Sequence, residues 1–327
     1  MPKVRAYIPG IYARSEELVR ATRDLDRGRT TEDAVEEQQN KDLHVFLDAQ
    51  REAGLDYLSD GLLNWQDIFR PFAETAEGLN PGPLTRFLDT NTFYRAPVVK
   101  GESPRLAEPL GEPFFRIGEL PRGTSWVATL PSPHSMATWA VEEIEPGVIA
   151  EGVLGPQVGW LARDGCSIVV LQETALFGGR IDIYPLSEAI DALRGTLGGA
   201  LESPLPFALQ LPFGDAGKVL SELIELQIDA IGVDLYATQA EALPRPFPKT
   251  LLAGVVDARN SLLEKPEEIA EFGRSLMEDM DEDTELHLVP NGDLQFVPEK
   301  IAREKVLRLG EATRILKDES IEEGAVT

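Results

Sequence analysis

The chain has 327 residues and one cysteine, Cys166, which excludes an internal disulfide and any cluster of several thiolate metal ligands. Its 31 basic and 56 acidic residues leave a formal charge of −25, a surface that repels nucleic acid and anionic lipid. No apolar run approaches the ~20 residues that span a bilayer, so the expected setting is the cytoplasm, with a small-molecule ligand and neither a membrane nor a nucleic-acid partner.

The start, "MPKVRAYIPG", is charged and then breaks at Pro9-Gly10, unlike a leader peptide. "VRAYIPG", from Val4, is the first of eight short apolar runs. Thr30-Thr31 followed by Glu32-Asp33 predicts a helix N-terminus, and the helix runs to Gly54 as its C′ residue. "LDYLSDG", from Leu55, is the second run, where Asp60 before Gly61 reads as a turn. Residues 80–123 hold seven prolines and break the rhythm. Within them "FYRAPVV" and "PFFRIGEL" predict the two strands of a β-hairpin-like insertion, either a mouth-covering loop or a packing arm or dimer contact.

"SWVATLPSP", from Ser125, is the third run and is followed by His134. "SIVVLQE", from Ser167, is the fourth and ends on Gln172 and Glu173, with Cys166 as a packed residue at its entry. "PFALQLPFGD" is the fifth and ends on Asp215; a helical stripe follows over 216–227. "AIGVDLYAT" carries Asp234 and Tyr236, and "TLLAGVVDARN" carries Asp257, Arg259 and Asn260. "KPEEIAEFGRSLMEDM" predicts a helix opening on proline. "ELHLVPNGD" is the eighth run, ending on Asn291 and Asp293; one more helix follows, and the acidic segment 317–327 is expected to be disordered.

Continuous rather than alternating apolar runs indicate strands covered on both faces. Strand and helix alternate along the chain, so the expected fold is α/β, a single (β/α)8 TIM barrel over 1–327 with the 80–123 insertion between strands 2 and 3. In such a barrel the C-terminal strand ends line one mouth. Glu173, His134, Asp234 and Asp215 are the candidate acid–base groups there. For Asp215 and Asp234 the competing reading is a turn residue, and for His134 a loop residue that only hydrogen-bonds. Arg14, Arg20 and Lys100 are candidate anion contacts or plain ion-pair partners. Trp65, Phe93, Tyr94, Trp139 and Tyr236 are candidate stacking rings or core. His44 and His287 read as structural. No P-loop, dinucleotide fingerprint, nucleophile elbow or Cys-x-x-Cys is present.

Several segments, in order, resemble the cobalamin-independent methionine synthase family. "QREAGLDYLSDG" is similar to its Gln-Glu-Ala-Gly-Leu-Asp stretch, and "TNTFYRAPVVKG" to its Asn-Tyr-His-Tyr-x-Pro-x-x-x-Gly arm segment. "LPSPHSMATW" stands where the family has Gly-Pro-Val-Thr. "VVLQETALF" resembles Gln-Ile-Asp-Glu-Pro-Ala-Leu, with Gln172 in place of the aspartate, and "AGVVDARNSLLEKPEEI" resembles Gly-Val-x-Asp/Asn-x-Arg-Asn. That enzyme has two related barrels, one holding zinc and homocysteine, the other zinc-free and helping to bind the methylfolate donor. Its zinc barrel needs His-x-Cys after the fifth strand, a Glu on the sixth and a Cys after the eighth. This chain has "LQLPFGD", Asp234 and "PNGDL" there, and Leu62 or a neighbour where a glutamate grips the homocysteine amino group.

The resemblance therefore implies a zinc-free, N-terminal-barrel-like relative of a methyltransferase acting on 5-methyltetrahydropteroyltriglutamate and homocysteine. It implies no bound metal, methyltetrahydrofolate or a corrinoid as methyl donor, and a separate zinc-bearing barrel as partner. Arg14, Lys100, Trp65, Tyr94, Gln172, Asp257, Arg259 and Asn260 are the donor-binding candidates. An independent zinc-free acid–base enzyme and a non-catalytic binding or scaffold protein are the alternatives.

Overall fold

The structure, a computed structural model, describes residues 2–324 except 89, 102, 113, 179–180, 199–204 and 282; for 319–324 it describes the backbone alone. Seven parallel strands form one sheet: β1 (Lys3–Ala6), β4 (Val127–Pro131), β5 (Ile168–Gln172), β6 (Phe207–Leu211), β7 (Ala230–Asp234), β8 (Thr250–Val256) and β9 (Glu285–Pro290). Their order is β1-β9-β8-β7-β6-β5-β4. The α/β expectation holds, but the second expected strand does not form as a strand. "LDYLSDG" contributes a single parallel bridge, Leu58 to Trp126. The segment still spans the gap between the sheet's edges. Asp56 N–H donates to Ala6 O on one side, and Val127 N–H donates to Leu58 O on the other. Asp56 also accepts from Ala6 N–H. Its side chain and the turn at Gly61 take the bonds a longer ladder would have taken.

The strands from β4 to β9 are flanked by apolar packing on both faces. Val127, Ile168, Val170, Ala208, Ala230, Leu252 and Val289 form a small inner core with Tyr7. The alternate residues, such as Val169, Leu171, Leu209, Ile231 and Leu251, pack in the much larger outer core with the helices. This period of two fixes what each strand end offers to the mouth. The inner row rises from Val170 to Gln172, from Ala208 to Gln210 and from Ala230 through Gly232 to Asp234, while Val289 leads to Asn291.

The helices are α1 (Glu16–Asp26), α2 (Glu32–Ala53), α3 (Arg70–Thr75), α4 (Pro133–Thr138), α5 (Pro146–Ile149), α6 (Gly155–Arg163), α7 (Tyr184–Gly195), α8 (Leu220–Ile224), α9 (Pro266–Met277) and α10 (Glu299–Gly324). A π turn over Ala150–Leu154 joins α5 to α6. Helix α2 has the ends its sequence predicts: the Thr31 side chain accepts from Ala34 N–H, and Gly54 ends it at φ 66°. The helix expected over 216–227 shrinks to α8, because Gly214 to Gly217 go into a tight turn in which Asp215 accepts from Gly217 N–H. Helix α10 continues through the acidic segment expected to be disordered as far as Gly324, and Lys317 on it pairs with Asp56; residues 325–327 lie outside the described set.

The insertion does form a hairpin, with different strands from those expected. β2 (Leu79–Arg86) pairs antiparallel with β3 (Phe93–Val99). "FYRAPVV" is β3, but its partner is the proline-containing "LNPGPLTR"; a register shift between Pro81 and Leu84 accommodates residues that cannot donate. "PFFRIGEL" holds only a short 3-10 turn, Ile117–Glu119.

Candidate functional site

The polar residues at the strand ends divide into clusters rather than one hollow. The division follows from the period of two. Gln172 and Glu173 are neighbours in sequence and point to opposite faces.

Gln172 faces inward. Its amide N–H donates to Asp293 Oδ1, and Gln295 Nε2 donates to Asp293 Oδ2 at 2.9 Å. Asp293 is buried, and burial pushes its carboxyl up to about 6 against the pull of those two amides. Gly10 lies against this pair: a Cβ there would fall 2.0 Å from Asp293 Oδ1, and the backbone is at φ +80°. Its N–H donates to Thr129 Oγ1 at 2.8 Å. The hairpin lies over this floor. Tyr94 and Phe87 line, with Gln172 and Asp293, a gap of about 20 Å³, room for about one water.

An aromatic chain roofs the mouth. Tyr94 meets Phe87 edge-on at 6.2 Å, and Phe87 stacks on Phe296 at 6.0 Å. Phe296 meets Phe213 at 5.5 Å, and the Arg259 guanidinium sits 4.3 Å over the Phe213 ring. Phe213 holds φ +61°, a left-handed conformation that a ring side chain adopts only when its surroundings impose it. One hydrophobic strut thus links the hairpin to the loops after β6, β8 and β9.

Asp234 and Asn291 form the second inward cluster. Asn291 Nδ2 donates to Asp234 Oδ1 at 3.0 Å, and its own Oδ1 accepts from Ala258 N–H. Burial raises the Asp234 pKa, while Asn291, the Tyr236 amide and the Arg259 charge oppose that rise. Gln210 Nε2 donates to Pro290 O at 2.9 Å. Asp234 Oδ2 and Gln210 Oε1 are buried with no hydrogen-bond partner.

Glu173 faces the other way, into the turn between β4 and α4. It is fully buried and accepts from the Ser132 and Ser135 hydroxyls, the Ala175 and Leu176 amides, and His134 Nδ1 at 3.1 Å. Burial would raise its pKa, but His134 and the two serines outweigh that, and the net shift is downward. His134 is pulled down by burial and up by Glu173, with a net rise. Glu173 is thus held as a carboxylate, which removes it as a proton donor at the mouth. It does not project into the crater as expected: its bonds go to His134, to the serines of the β4–α4 turn and to the loop after β5.

The remaining candidates scatter. Asp215 and Asn260 are exposed and cap Gly217 and Leu262 amides as turn residues. Asp257 likewise accepts from Arg259 N–H. Trp65 is core: its indole donates to Phe114 O, and Phe72 and Phe115 meet its ring edge-on. Phe93 and Tyr236 are exposed, the latter with its hydroxyl on Glu264. Trp139 donates to Thr174 Oγ1. Lys100 is exposed at the base of the hairpin. Arg14 and Arg20 line a separate open cleft of about 480 Å³ with Arg23 and Lys300, and with Glu16, Glu17 and Glu299. Burial lowers the Arg14 pKa. His44 is exposed on α2, and His287 is buried at the opposite end of the barrel from the mouth, against Tyr7.

Gln210, Gln295 and the roof rings Phe87, Phe213 and Phe296 were not foreseen as site residues. Counting by twos back from the strand ends would have placed Gln210 inward; the rings give no such signal, since loop aromatics carry no period.

No family model matches the chain. It is 22% identical over 326 residues to the methionine synthase of Sulfurisphaera tokodaii, covering 98% of this chain and 94% of that protein. It is 24% identical over 330 residues to the methionine synthase of Saccharolobus islandicus, covering 98% of this chain and 96% of the relative. Its fold superposes with a TM-score of 0.72 on a B12-independent methionine synthase from Shewanella sp. W3-18-1, solved in complex with selenomethionine, at 19% identity and over 90% of this chain and 92% of that one.

Proposed function

From its likeness to methionine synthases along nearly its whole length, we propose that the chain is a zinc-free methyl-transfer protein of methionine synthesis, a relative of the cobalamin-independent methionine synthases. In this reading it binds a methylfolate donor, or a corrinoid in its place, and a separate zinc-bearing barrel supplies the activated thiolate. The observation that carries the zinc-free part is the donor set. Where the resemblance implies zinc ligands, the chain offers Gln210, Pro212, Asp234 and the Asn291-Gly292 turn: one carboxylate, carboxamides, and neither imidazole nor thiolate. Those groups do not fit zinc, which takes three or four Cys, His, Asp or Glu ligands in a tetrahedral set; Asp234 alone is of that kind. Among the described residues no three His, Cys, Asp or Glu side chains gather to hold a metal.

For the donor, the open cleft with Arg14 and Arg20 suits the carboxylates of a glutamate tail, with Arg23 and Lys300 adding to the positive side. The roof rings Tyr94 and Phe87 suit a flat pterin once the hairpin lifts. Besides the donor, we propose a methionine-type amino acid as the ligand of the inward clusters, a molecule of the shape of the selenomethionine complexed with the Shewanella relative.

The test is calorimetric titration with methyltetrahydrofolate, followed by methyl transfer to homocysteine with and without an added zinc-bearing barrel. Saturable folate binding and turnover only with the partner support the reading. Turnover by this chain alone after zinc loading, or absence of folate binding, overturns it.

A second reading rests on the His134–Glu173 pair. With Nδ1 tied to Glu173, Nε2 is the ring nitrogen left for proton transfer, the arrangement a general acid–base needs. His134→Gln abolishing a reaction that needs no partner would favour it over the first.

A further inference from the structure

Two buried acceptors at the mouth have nothing to accept. Gln210 Oε1 and Asp234 Oδ2 lack any hydrogen-bond partner, on residues only 2% and 1% exposed. A buried acceptor left unpaired loses its hydration without replacement, so native structures rarely keep one without an occupant. The other ends of both side chains are anchored, which fixes where the free oxygens stand. Gln210 Nε2 is held by Pro290 O, and Asp234 Oδ1 by Asn291 Nδ2. Pro290 and Asn291 are consecutive, so the two heads converge on one turn of β9. Their strands are neighbours, with Gln210 opposite Gly232 and Asp234 two residues beyond on the same face.

The two oxygens accept only, and one belongs to a carboxylate. The complementary group is a positively charged N–H donor. Gln172, which stands where the resemblance implies an acid for an amino group, is a carboxamide that spends its N–H on Asp293. As a neutral amide it offers an ammonium group no opposite charge. Arg259, on the Phe213 ring, provides a cation beside Asp234. Phe213 is the cover: a Cβ on Gly292 of the same β9 turn would come within 2.4 Å of its ring.

We propose that Gln210 Oε1 and Asp234 Oδ2 form the subsite for the primary ammonium group of an α-amino acid, with Arg259 facing its carboxylate and Phe213 as the gate. This rests on the reading that the mouth takes a methionine-type ligand, and it adds which atoms recognise it.

The experiment is calorimetric titration of the full chain with L-methionine and with N-acetyl-L-methionine, whose nitrogen carries no charge. Wild type is expected to bind methionine, and the acetylated form at least roughly tenfold more weakly. Asp234→Asn is expected to weaken methionine by a similar factor and to erase the preference. Should Asp234→Asn fail to fold, Gln210→Leu reads the other acceptor, with the same loss expected. Equal binding of the two ligands, or full affinity in a folded variant, overturns the subsite. Methylfolate titration of the same sample separates the failures. Folate binding without methionine binding overturns the subsite and spares the methyl-transfer reading; loss of both overturns both.

Discussion

At the scale of single residues, Glu173 shows how burial and partners decide a role that residue type leaves open. It accepts bonds from five groups, and Gln at this position would turn an N–H₂ toward hydroxyl and amide donors. Glu173→Gln is expected to cost about 3–5 kcal/mol, the usual penalty for breaking a buried charged pair, read as a lower midpoint in urea unfolding. The pair also has a pH signature. His134 binds its proton more tightly folded than unfolded, so its contribution is full below its ordinary value of 6.5 and fades as pH rises through its higher folded value. Glu173 releases its proton more readily when folded, so its contribution is full above its ordinary 4.5 and fades as pH falls through its lower folded value. Both act together between 4.5 and 6.5. The stability lost in His134→Ala should be greatest in that window and smaller at pH 8; a loss that does not vary with pH would contradict the ion pair. Gly10 sets a second limit. Gly10→Ala must place a methyl 2.0 Å from Asp293 Oδ1 at φ +80°, so a loss of about 1–3 kcal/mol is expected, with the same urea measurement as the check.

At the scale of elements, the hairpin of β2 and β3 is tied to the barrel through the stack of Phe87 on Phe296. Its tip bonds, such as Phe87 N–H to Thr92 O, are local and sit at the protein edge. Phe296→Ala removes the ring that holds the tip down. Hydrogen exchange at the Phe87 amide should quicken about tenfold, corresponding to loss of one aromatic contact worth roughly 1.4 kcal/mol, while amides of β5 and β6 keep their protection. Unchanged exchange at the tip would mean that the stack does not hold the hairpin. This element was half legible. "FYRAPVV" reads as a strand because it is rich in aromatic and β-branched residues. Its partner, "LNPGPLTR", hides behind prolines that argue against strand, and only the pairing with β3 makes it one. The second barrel strand failed in the opposite direction. "LDYLSDG" has the apolar residues of a strand but turns at Asp60-Gly61 after a single bridge, because Asp60 accepts from Leu62 and Arg116 amides instead of letting the ladder continue.

For the whole molecule, charge is the dominant collective term. A formal −25 on 327 residues makes the compact state repel itself, and salt screens that repulsion over about 10 Å at 0.1 M. The melting temperature should therefore rise as sodium chloride increases, by about 1.5 °C per kcal/mol gained for a chain of this size. A fall with salt would show that the ion pairs across the surface outweigh the excess of acid.

The sequence by itself determined the α/β class, the alternation of strand and helix and the ends of α2, because hydrophobic period and capping chemistry are local properties. It also carried the family resemblance and the absence of thiolate and imidazole where zinc ligands would stand. Only the tertiary structure decided which polar residues meet. Gln172 reaches Asp293 across 121 positions, and Glu173, one bond further along the chain, joins Ser132 and His134 instead. Which face a strand residue takes depends on where the barrel closes, and which rings roof the mouth depends on loops arriving from three different strands; neither is encoded within reach of a local pattern.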